Sequence, residues 1–184
     1  MKVLMLFADG FEDVEAVATR DVLVRAGIEV TDAKINKDRE LVISSHKMSF
    51  NGLFDAFKAN PKEYEAIILP GGSRGVQNLL QSEVVDSLVT EFAKENKYLC
   101  AICAAPMVLG KLGLLKGKRY TCYPGCNEGL VGDYTGNEVE VDGKLITGRS
   151  MLYSISFGLT IIEKLVGKEI RDRVYLGIAG LSKK

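Results

Sequence analysis

A cysteine stands where an apolar run gives way to small residues and a proline. Cys103 directly follows the run Tyr98–Ile102, and Ala104, Ala105 and Pro106 come next. This pattern predicts a strand that ends at the cysteine and a helix that begins just beyond it, since proline is favoured in a first helical turn. The positive end of a helix stabilises a thiolate, the nucleophilic form of cysteine. The sequence therefore predicts cysteine chemistry at Cys103.

Two further loops carry residues that could act with this cysteine. Gly71 and Gly72 come just after the apolar run Ala66–Leu69 and Pro70. Adjacent glycines let backbone N–H groups point into a concavity, as an oxyanion hole requires, although an ordinary tight turn has the same sequence. Three acids, Glu12, Asp13 and Glu15, open the first predicted helix. Acids in a first turn usually face solvent or pair with the helix dipole, so we expect only one of them to face the site.

The other cysteines allow two alternatives to a single nucleophile. The spacing of Cys100, Cys103, Cys122 and Cys126 loosely fits a four-thiolate zinc site, and Cys100 with Cys103 could form a redox dithiol. Both alternatives are disfavoured because Cys100 lies inside an apolar strand, where it should face a helix layer. We therefore expect no bound metal, and we interpret Cys100, Cys122 and Cys126 as small buried apolar residues.

Short apolar runs alternate with segments of helical period along the chain, which predicts an α/β fold. The predicted strands are residues 3–7, 28–35, Ala66–Leu69, Tyr98–Ile102 and 119–122. The predicted helices are residues 14–26, 77–95 as one or two helices, 104–112, Ser154–Val166 and 170–178. The predicted hairpins are residues 40–50 and the pair of strands 138–141 and 144–147 around Asp142-Gly143. Such alternation indicates a parallel sheet with helices on both faces. The loops at Glu15, Gly72 and Cys103 would then lie beyond the carboxyl ends of its strands, where ligands of such sheets bind.

Length and composition limit the class of protein. The 184 residues fit one domain, 1–184, with a core large enough to need no disulfide or metal. Lysine plus arginine and aspartate plus glutamate number 24 each, which argues against a nucleic-acid or membrane surface. The first apolar run is too short for a signal peptide. We therefore expect a cytoplasmic protein with reduced cysteines.

Three segments resemble one family. Residues 7–15 (FADGFEDVE), 69–72 (LPGG) and 101–106 (AICAAP) are similar to the ThiJ/PfpI family, and within it to the DJ-type branch of the class I glutamine amidotransferase-like superfamily. The resemblance extends from Met1 to about residue 178. It implies a flavodoxin-like three-layer sandwich with a mostly parallel central sheet, helices on both faces and short hairpins. It also implies a homodimer, and no cofactor.

The resemblance assigns roles within the three loops. Cys103 would be an oxidation-sensitive nucleophile on a strained elbow, and Glu15 would be the acid that binds its sulfur. The backbone of Gly71, Gly72 and Ala104 would form the oxyanion pocket. Activities attributed to such sites include glutathione-independent glyoxalase and deglycase action on small dicarbonyls or their adducts, redox sensing and chaperone action.

This chain departs from the family at two places. Tyr123 stands where many relatives have a histidine, which argues against a protease or amidotransferase that needs a cysteine–histidine pair. Residues 148–153 (GRSMLY) replace a Gly-Pro-Gly at the expected pocket mouth. The only histidine, His46, lies in the predicted hairpin, in a region where relatives hold a basic residue that reaches the partner's site. Tyr123 and His46 are therefore candidate auxiliary residues, although an exposed hairpin position explains His46 as well.

Three hypotheses of function follow from these residues. The first is an enzyme in which Cys103 adds to a small aldehyde or dicarbonyl and Glu15 moves the protons. The second is a non-catalytic redox sensor or stress chaperone that forms a sulfinate at Cys103. The third is an interaction protein whose pocket is closed. The first two share one site, so the sequence alone does not separate them.

Overall fold

The protein is described by a computed structural model in which residues 1–181 can be placed. Eleven strands are present in this part of the chain: β1 Lys2–Phe7, β2 Glu29–Lys34, β3 Val42–Ile43, β4 Ser49–Phe50, β5 Phe54–Asp55, β6 Ala66–Leu69, β7 Tyr98–Ile102, β8 Arg119–Tyr120, β9 Asp133–Tyr134, β10 Val139–Asp142 and β11 Leu145–Gly148. Seven of them form a central sheet in the order β10-β11-β7-β6-β1-β2-β5. All neighbours in this sheet are parallel except β10 and β11, which form an antiparallel hairpin. The predicted mostly parallel sheet is confirmed.

Helices cover both faces of the sheet, as predicted. They are α1 Asp13–Arg25, α2 Ser73–Leu80, α3 Glu83–Lys94, α4 Pro106–Lys111, α5 Ser154–Val166 and α6 Lys168–Ile178. Alternate residues of β1 enter two different cores: Leu4 and Leu6 pack with α2, α3 and α4, whereas Val3 and Met5 pack with α1, α5 and α6. This alternation follows from the two-residue period of a strand, and it explains why these strands are apolar throughout.

The structure differs from the predicted elements at several ends. The segment predicted as one or two helices over residues 77–95 is two helices, and the first begins earlier, at Ser73. Helix α4 begins at Pro106 rather than at residue 104, because Cys103 to Ala105 form a turn. The edge strand Phe54–Asp55 was not predicted, since two residues give no apolar run. Among residues 1–181, no helix is both long enough and apolar enough to cross a bilayer.

The short hairpins are confirmed. Strands β3 and β4 pair antiparallel between Val42 and Phe50, outside the central sheet. Strand β8 pairs in parallel with β9 as a separate two-stranded sheet.

The carboxyl ends of β1, β6 and β7 lie side by side in the central sheet, and they lead directly into α1, α2 and α4. The three loops that carry the predicted site residues therefore meet at one edge.

Candidate active site

Cys103 occupies a sharp turn that its neighbours hold in place. Its φ angle is 63°, a left-handed value that costs a residue with a side chain about 1–3 kcal/mol. The Cys103 N–H donates to the Gly148 carbonyl at 2.9 Å, and the Cys103 carbonyl accepts the Tyr123 N–H at 2.8 Å. The turn is thus fixed from β11 on one side and from the segment after β8 on the other. This backbone conformation agrees with the strained elbow that the family resemblance implies.

Glu15 lies beside the cysteine although it belongs to a different loop. Its side chain comes from the first turn of α1, and the residue is only 1% exposed. The Gly71 N–H donates to Glu15 Oε2 at 2.8 Å. A Cβ atom on Gly71 would lie 2.5 Å from Glu15 Oε2 and 2.7 Å from the Cβ of Cys103. Position 71 must therefore be glycine if the carboxyl and the thiol are to lie so close together.

Burial sets the protonation of the Glu15 carboxyl. Desolvation raises its pKa to about 7, against the opposing effects of hydrogen bonds with Cys103 and with the Gly71 N–H. The Glu12 charge adds to the increase. The Glu15 Oε1 atom is buried and has no hydrogen-bond partner within residues 1–181. A carboxyl with such a pKa can both donate and accept a proton near neutral pH.

The surroundings of the Cys103 thiol favour its protonated form, whereas the sequence predicts a thiolate. Burial raises its pKa well above the usual range, and the charge of Glu15 and the hydrogen bond to it act in the same direction. The Ala104 and Gly72 N–H groups act on the sulfur in the opposite direction, but they are outweighed. Burial and the neighbouring Glu15 carboxyl therefore act against the resting thiolate that the sequence predicts. The two groups share one proton-exchanging site, in which a second negative charge is strongly disfavoured.

The carboxyl and the thiol both line a cavity of about 740 Å³. Its lining residues are Glu12, Glu15, Gly72, Ser73, Val76, Gln77, Leu80, Cys103, Ala104, Met107, Tyr123, Pro124, Cys126, Ser150, Met151 and Leu152. Glu15, Cys103, Gly72 and Ala104, all predicted site residues, are thus brought together. A small molecule that entered the cavity would reach both the sulfur and the carboxyl.

Three predicted residues have positions that refine their proposed roles. Gly71 does not point its N–H at the sulfur, since that group is bound to Glu15; it holds the acid rather than an oxyanion. Tyr123 lines the cavity and is 51% exposed. His46 does not line the cavity in this chain; its Nδ1 lies 2.9 Å from Asp13 Oδ2 in the hairpin turn. Segment 148–153 contributes Ser150, Met151 and Leu152 to the cavity wall.

The pairing of the hairpin with α1 was missed by sequence reasoning. Asp13 Oδ2 accepts hydrogen bonds from the Ser45 hydroxyl at 3.0 Å and from the His46 N–H at 3.2 Å, besides its contact with the ring. One carboxylate oxygen of Glu12, one of Asp13 and a ring nitrogen of His46 lie within 4.8 Å of one another. The only sequence signal was the presence of two acids before Glu15, and it does not identify a partner 33 positions away. These contacts attach the hairpin to the helix that carries Glu15.

The remaining cysteines are separated by the sheet. Cys100 is buried with α1 and α5, whereas Cys122 is buried in the core on the other face. This placement agrees with the interpretation of both as buried apolar residues. Cys126 is only partly buried and lines the cavity with Cys103. Its position in the cavity wall was not predicted.

Comparison with known proteins identifies relatives over most of the chain. The model of the DJ-1/PfpI family matches residues 1–164. Protein DJ-1 homolog B of Arabidopsis thaliana is 39% identical over 91% of this chain, which spans only 39% of that longer protein. The Parkinson disease protein 7 homolog of Danio rerio is 35% identical, with 94% of both chains covered. A protein named as a deglycase in Pyrococcus abyssi is 33% identical over 81% of this chain and 90% of its own.

Solved structures show the same fold. Drosophila melanogaster DJ-1beta has a TM-score of 0.90 and 34% identity, with 97% of each chain covered. Oxidized DJ-1 of Toxoplasma gondii has a TM-score of 0.88 and 30% identity, also with 97% of each chain covered. The similarity therefore covers nearly the whole fold.

Proposed function

The chain belongs to the DJ-1/PfpI family, and from this premise we propose that it is a cysteine-dependent enzyme of reactive carbonyls. The reaction proposed is the glutathione-independent conversion of a small α-oxoaldehyde to a 2-hydroxy acid, with deglycation of early adducts as a related use of the same site. One observation carries the proposal: a buried carboxyl with a pKa of about 7 lies beside a cysteine in an open cavity. The deglycase name of an archaeal relative supports this class of substrate.

In the proposed first step the thiol adds to the aldehyde while Glu15 takes its proton. A free thiolate is not required, which suits a thiol whose pKa is raised by burial. The oxygen of the aldehyde carbon becomes an oxyanion, and the Gly72 and Ala104 N–H groups are the donors next to the sulfur. Glu15 then returns the proton to this oxygen, which gives a neutral hemithioacetal and restores the carboxylate.

In the second step Glu15 moves a proton between adjacent carbons. Its carboxylate removes the proton from the carbon bound to sulfur, and the electron pair passes into an enediolate whose negative charge lies on the oxygen of the neighbouring carbon. The same carboxyl then delivers the proton to that neighbouring carbon, while the hydroxyl proton of the carbon bound to sulfur passes to the negatively charged oxygen, so that the product is the thioester of a 2-hydroxy acid. Water then hydrolyses the thioester, which releases the acid and regenerates the Cys103 thiol. Because Tyr123 replaces the usual histidine, Glu15 does all of this proton transfer, and we expect slow turnover.

The test is the formation of lactate from methylglyoxal by the wild-type protein and by Cys103→Ser. The proposal predicts lactate from the wild type and none above background from the variant. A control, Cys100→Ser, alters a cysteine in the middle of β7 that packs against the layer of α1 and α5, and it should retain activity if it folds. Equal rates for the wild type and Cys103→Ser would refute the proposal.

A second candidate function is oxidation sensing or stress protection at the same cysteine. It is supported by the position of Cys103 in the cavity and by a relative solved in an oxidized form. A protonated Glu15 could donate a hydrogen bond to a sulfinate on Cys103. Intact-mass spectrometry after mild peroxide should show two added oxygens on Cys103. Even oxidation of all four cysteines would count against this function.

We also propose a cytoplasmic, single-domain homodimer. The support for a dimer is an exposed apolar strip on α1 and the hairpin, where Val14, Val17 and Met48 are 45%, 44% and 52% exposed. Sedimentation at micromolar concentration should give about twice the 20.1 kDa of one chain. Val17→Asp should shift the protein toward the monomer, while Val131→Asp, at an exposed valine outside α1 and the hairpin, is the control.

A further inference from the structure

The cavity beside Cys103 is much larger than the simplest substrate. Its volume is about 740 Å³, within the range of roughly 300–1,000 Å³ typical of sites that bury ligands of drug size. Methylglyoxal has only five non-hydrogen atoms. With its aldehyde at the sulfur of Cys103, its methyl group would leave most of the cavity wall without a contact.

Apolar side chains from three parts of the chain line the cavity. Val76 and Leu80 stand one turn apart on α2, Met107 comes from α4, and Met151 and Leu152 come from the segment after β11. The polar lining side chains are Glu12, Ser73, Gln77, Tyr123 and Ser150, besides the reacting Glu15 and Cys103. The apolar residues would contact an apolar chain whose aldehyde end is held at Cys103.

The charges of the lining disfavour an anionic substrate. Among residues 1–181, the side chains that line this cavity include no lysine, arginine or histidine, while Glu12 and Glu15 are acids. Arg39, Lys47 and Arg74 line a different cavity, of about 440 Å³, which shares only Ser73 with the first. A phosphate or carboxylate group in the reactive cavity would therefore have no cationic lining side chain to pair with, and any negative charge on Glu12 or Glu15 would repel it.

The mouth of the cavity carries exposed apolar side chains. Leu152 is 78% exposed and Met151 is 46% exposed, and both lie in the segment that replaces the Gly-Pro-Gly of relatives. Arg149 fixes this segment, because its guanidinium donates to the Gly136 carbonyl at 2.9 Å and stacks over the Tyr153 ring. An apolar chain that extended out of the cavity would cover Leu152 and remove it from water.

We infer that this site prefers uncharged α-oxoaldehydes with an unbranched apolar chain of several carbons to methylglyoxal. The inference rests on the proposed function and specifies its substrate. The aldehyde end reacts at Cys103 and Glu15, while the chain lies along Val76, Leu80 and Met107 toward Leu152. The specificity-determining residues are therefore the apolar wall residues.

The test is kcat/KM for a series of alkylglyoxals, from methylglyoxal through 2-oxobutanal to 2-oxohexanal. Each added methylene that is fully buried should raise kcat/KM about fourfold, which corresponds to ~0.8 kcal/mol. The charged α-oxoaldehyde 4,5-dioxopentanoate should be a poorer substrate than the uncharged 2-oxohexanal. A series in which kcat/KM stays flat or falls with chain length, measured with a protein that turns over methylglyoxal through Cys103, would overturn the inference and leave the proposed function intact.

Variants of the wall give an independent measurement. Met107→Gln and Leu152→Ser should each lower kcat/KM for 2-oxohexanal several-fold more than they lower kcat/KM for methylglyoxal. Leu176→Ser is the matched control, since Leu176 is also an exposed leucine, 41% exposed, but lies on α6 away from the cavity. Equal losses for both substrates would contradict the inference.

A binding readout does not depend on turnover. The unreactive ketone 2-hexanone should slow the alkylation of Cys103 by iodoacetamide more than acetone does at equal concentration. If no glyoxal is turned over but this protection is seen, the proposed function fails and the apolar cavity is retained. If both ketones protect equally, the preference for an apolar chain is refuted.

Discussion

Two acids in the same turn of α1 have opposite protonation behaviour. Asp13 and Glu15 are separated by one residue, and they are only 8% and 1% exposed. Yet the pKa of Asp13 is lowered to about 2, whereas that of Glu15 is raised to about 7. The two carboxyls face different parts of the molecule: Asp13 faces the hairpin, and Glu15 faces the cavity with Cys103.

The number of donors explains the difference. Desolvation acts to raise the pKa of Asp13, but hydrogen bonds from Ser44, His46 and Ser45 together outweigh it. Glu15 is more completely buried, and within the described residues 1–181 the one backbone N–H that donates to it comes from Gly71. Burial with many donors fixes a carboxylate, and burial with few donors leaves a carboxyl that can exchange its proton. One helix turn thereby supplies both a structural anion and a candidate acid–base catalyst.

The largest expected effect comes from displacing Glu15 from Cys103. In Gly71→Ala the new Cβ would overlap Glu15 Oε2 and Cys103, so both groups must move. We expect at least a 100-fold loss of lactate formation, since displacements of about 1 Å cost this much in active sites. The control is Gly177→Ala on α6, where a Cβ meets nothing within 4 Å, and it should keep full activity. Full activity in Gly71→Ala would show that the packing of Glu15 against Cys103 is not needed.

The second prediction concerns stability and pH in Glu15→Gln. The folded pKa of Glu15 is about 7 and the ordinary value is 4.5, so the folded state holds the proton more strongly between these values. The stability of the wild type should therefore fall as pH rises from 4.5 to 7, and the glutamine variant lacks this fall. From pH 4.5 to pH 8 the variant should gain roughly 3 kcal/mol relative to the wild type. Urea unfolding at pH 4.5 and pH 8 measures this change in the free energy of unfolding. If the difference between the variant and the wild type were the same at both pH values, the burial of a neutral acid would be contradicted.

The third prediction has the opposite sign. Because the folded pKa of Asp13 is about 2 and its ordinary value is 3.8, Asp13 contributes stability above pH 4 that is lost as pH falls through 2. Asp13→Asn should therefore cost about 2 kcal/mol at neutral pH and progressively less in acid. Denaturant unfolding between pH 2 and pH 7 measures the loss. If Asp13→Asn and Glu15→Gln showed the same pH slope, the contrast between the two acids would be wrong.

The smallest effect concerns His46, the partner of Asp13. Its hydrogen bond to Asp13, aided by the charges of Glu12 and Asp13, raises the pKa of His46. Its stabilising contribution is present below pH 6.5 and disappears as pH rises through the folded pKa. His46 is the only histidine, so one imidazole signal in an NMR titration reports it. Asp13→Asn should lower this pKa, and an unchanged titration would mean that the contact is absent in solution.

Much of the fold could be predicted because its elements have regular apolar patterns. The bounds of Ala66–Leu69, Tyr98–Ile102 and Ser154–Val166 agree with the prediction residue for residue. The three loops could be placed at one edge because parallel strands end there together. The start of α4 could not be predicted, because the left-handed turn at Cys103 depends on contacts with Gly148 and Tyr123, which are distant in sequence.

The composition of the candidate site was largely predicted, but its electrostatics were not. Cys103, Glu15, Gly72 and Ala104 lie together, as the resemblance implies. The raised pKa of Cys103 depends on how deeply the sulfur is buried and on how close Glu15 comes to it, and neither is a local property of the sequence. The role of Gly71 likewise became clear only from the donor it gives to Glu15.

The central claim is that Glu15 is a buried acid that exchanges its proton near neutral pH beside Cys103. The most direct measurement is a titration of its side-chain carboxyl by ¹³C NMR between pH 4 and pH 9, with Glu15→Gln used to assign the signal. The account predicts a midpoint near 7. A midpoint near the ordinary value of 4.5 would contradict it.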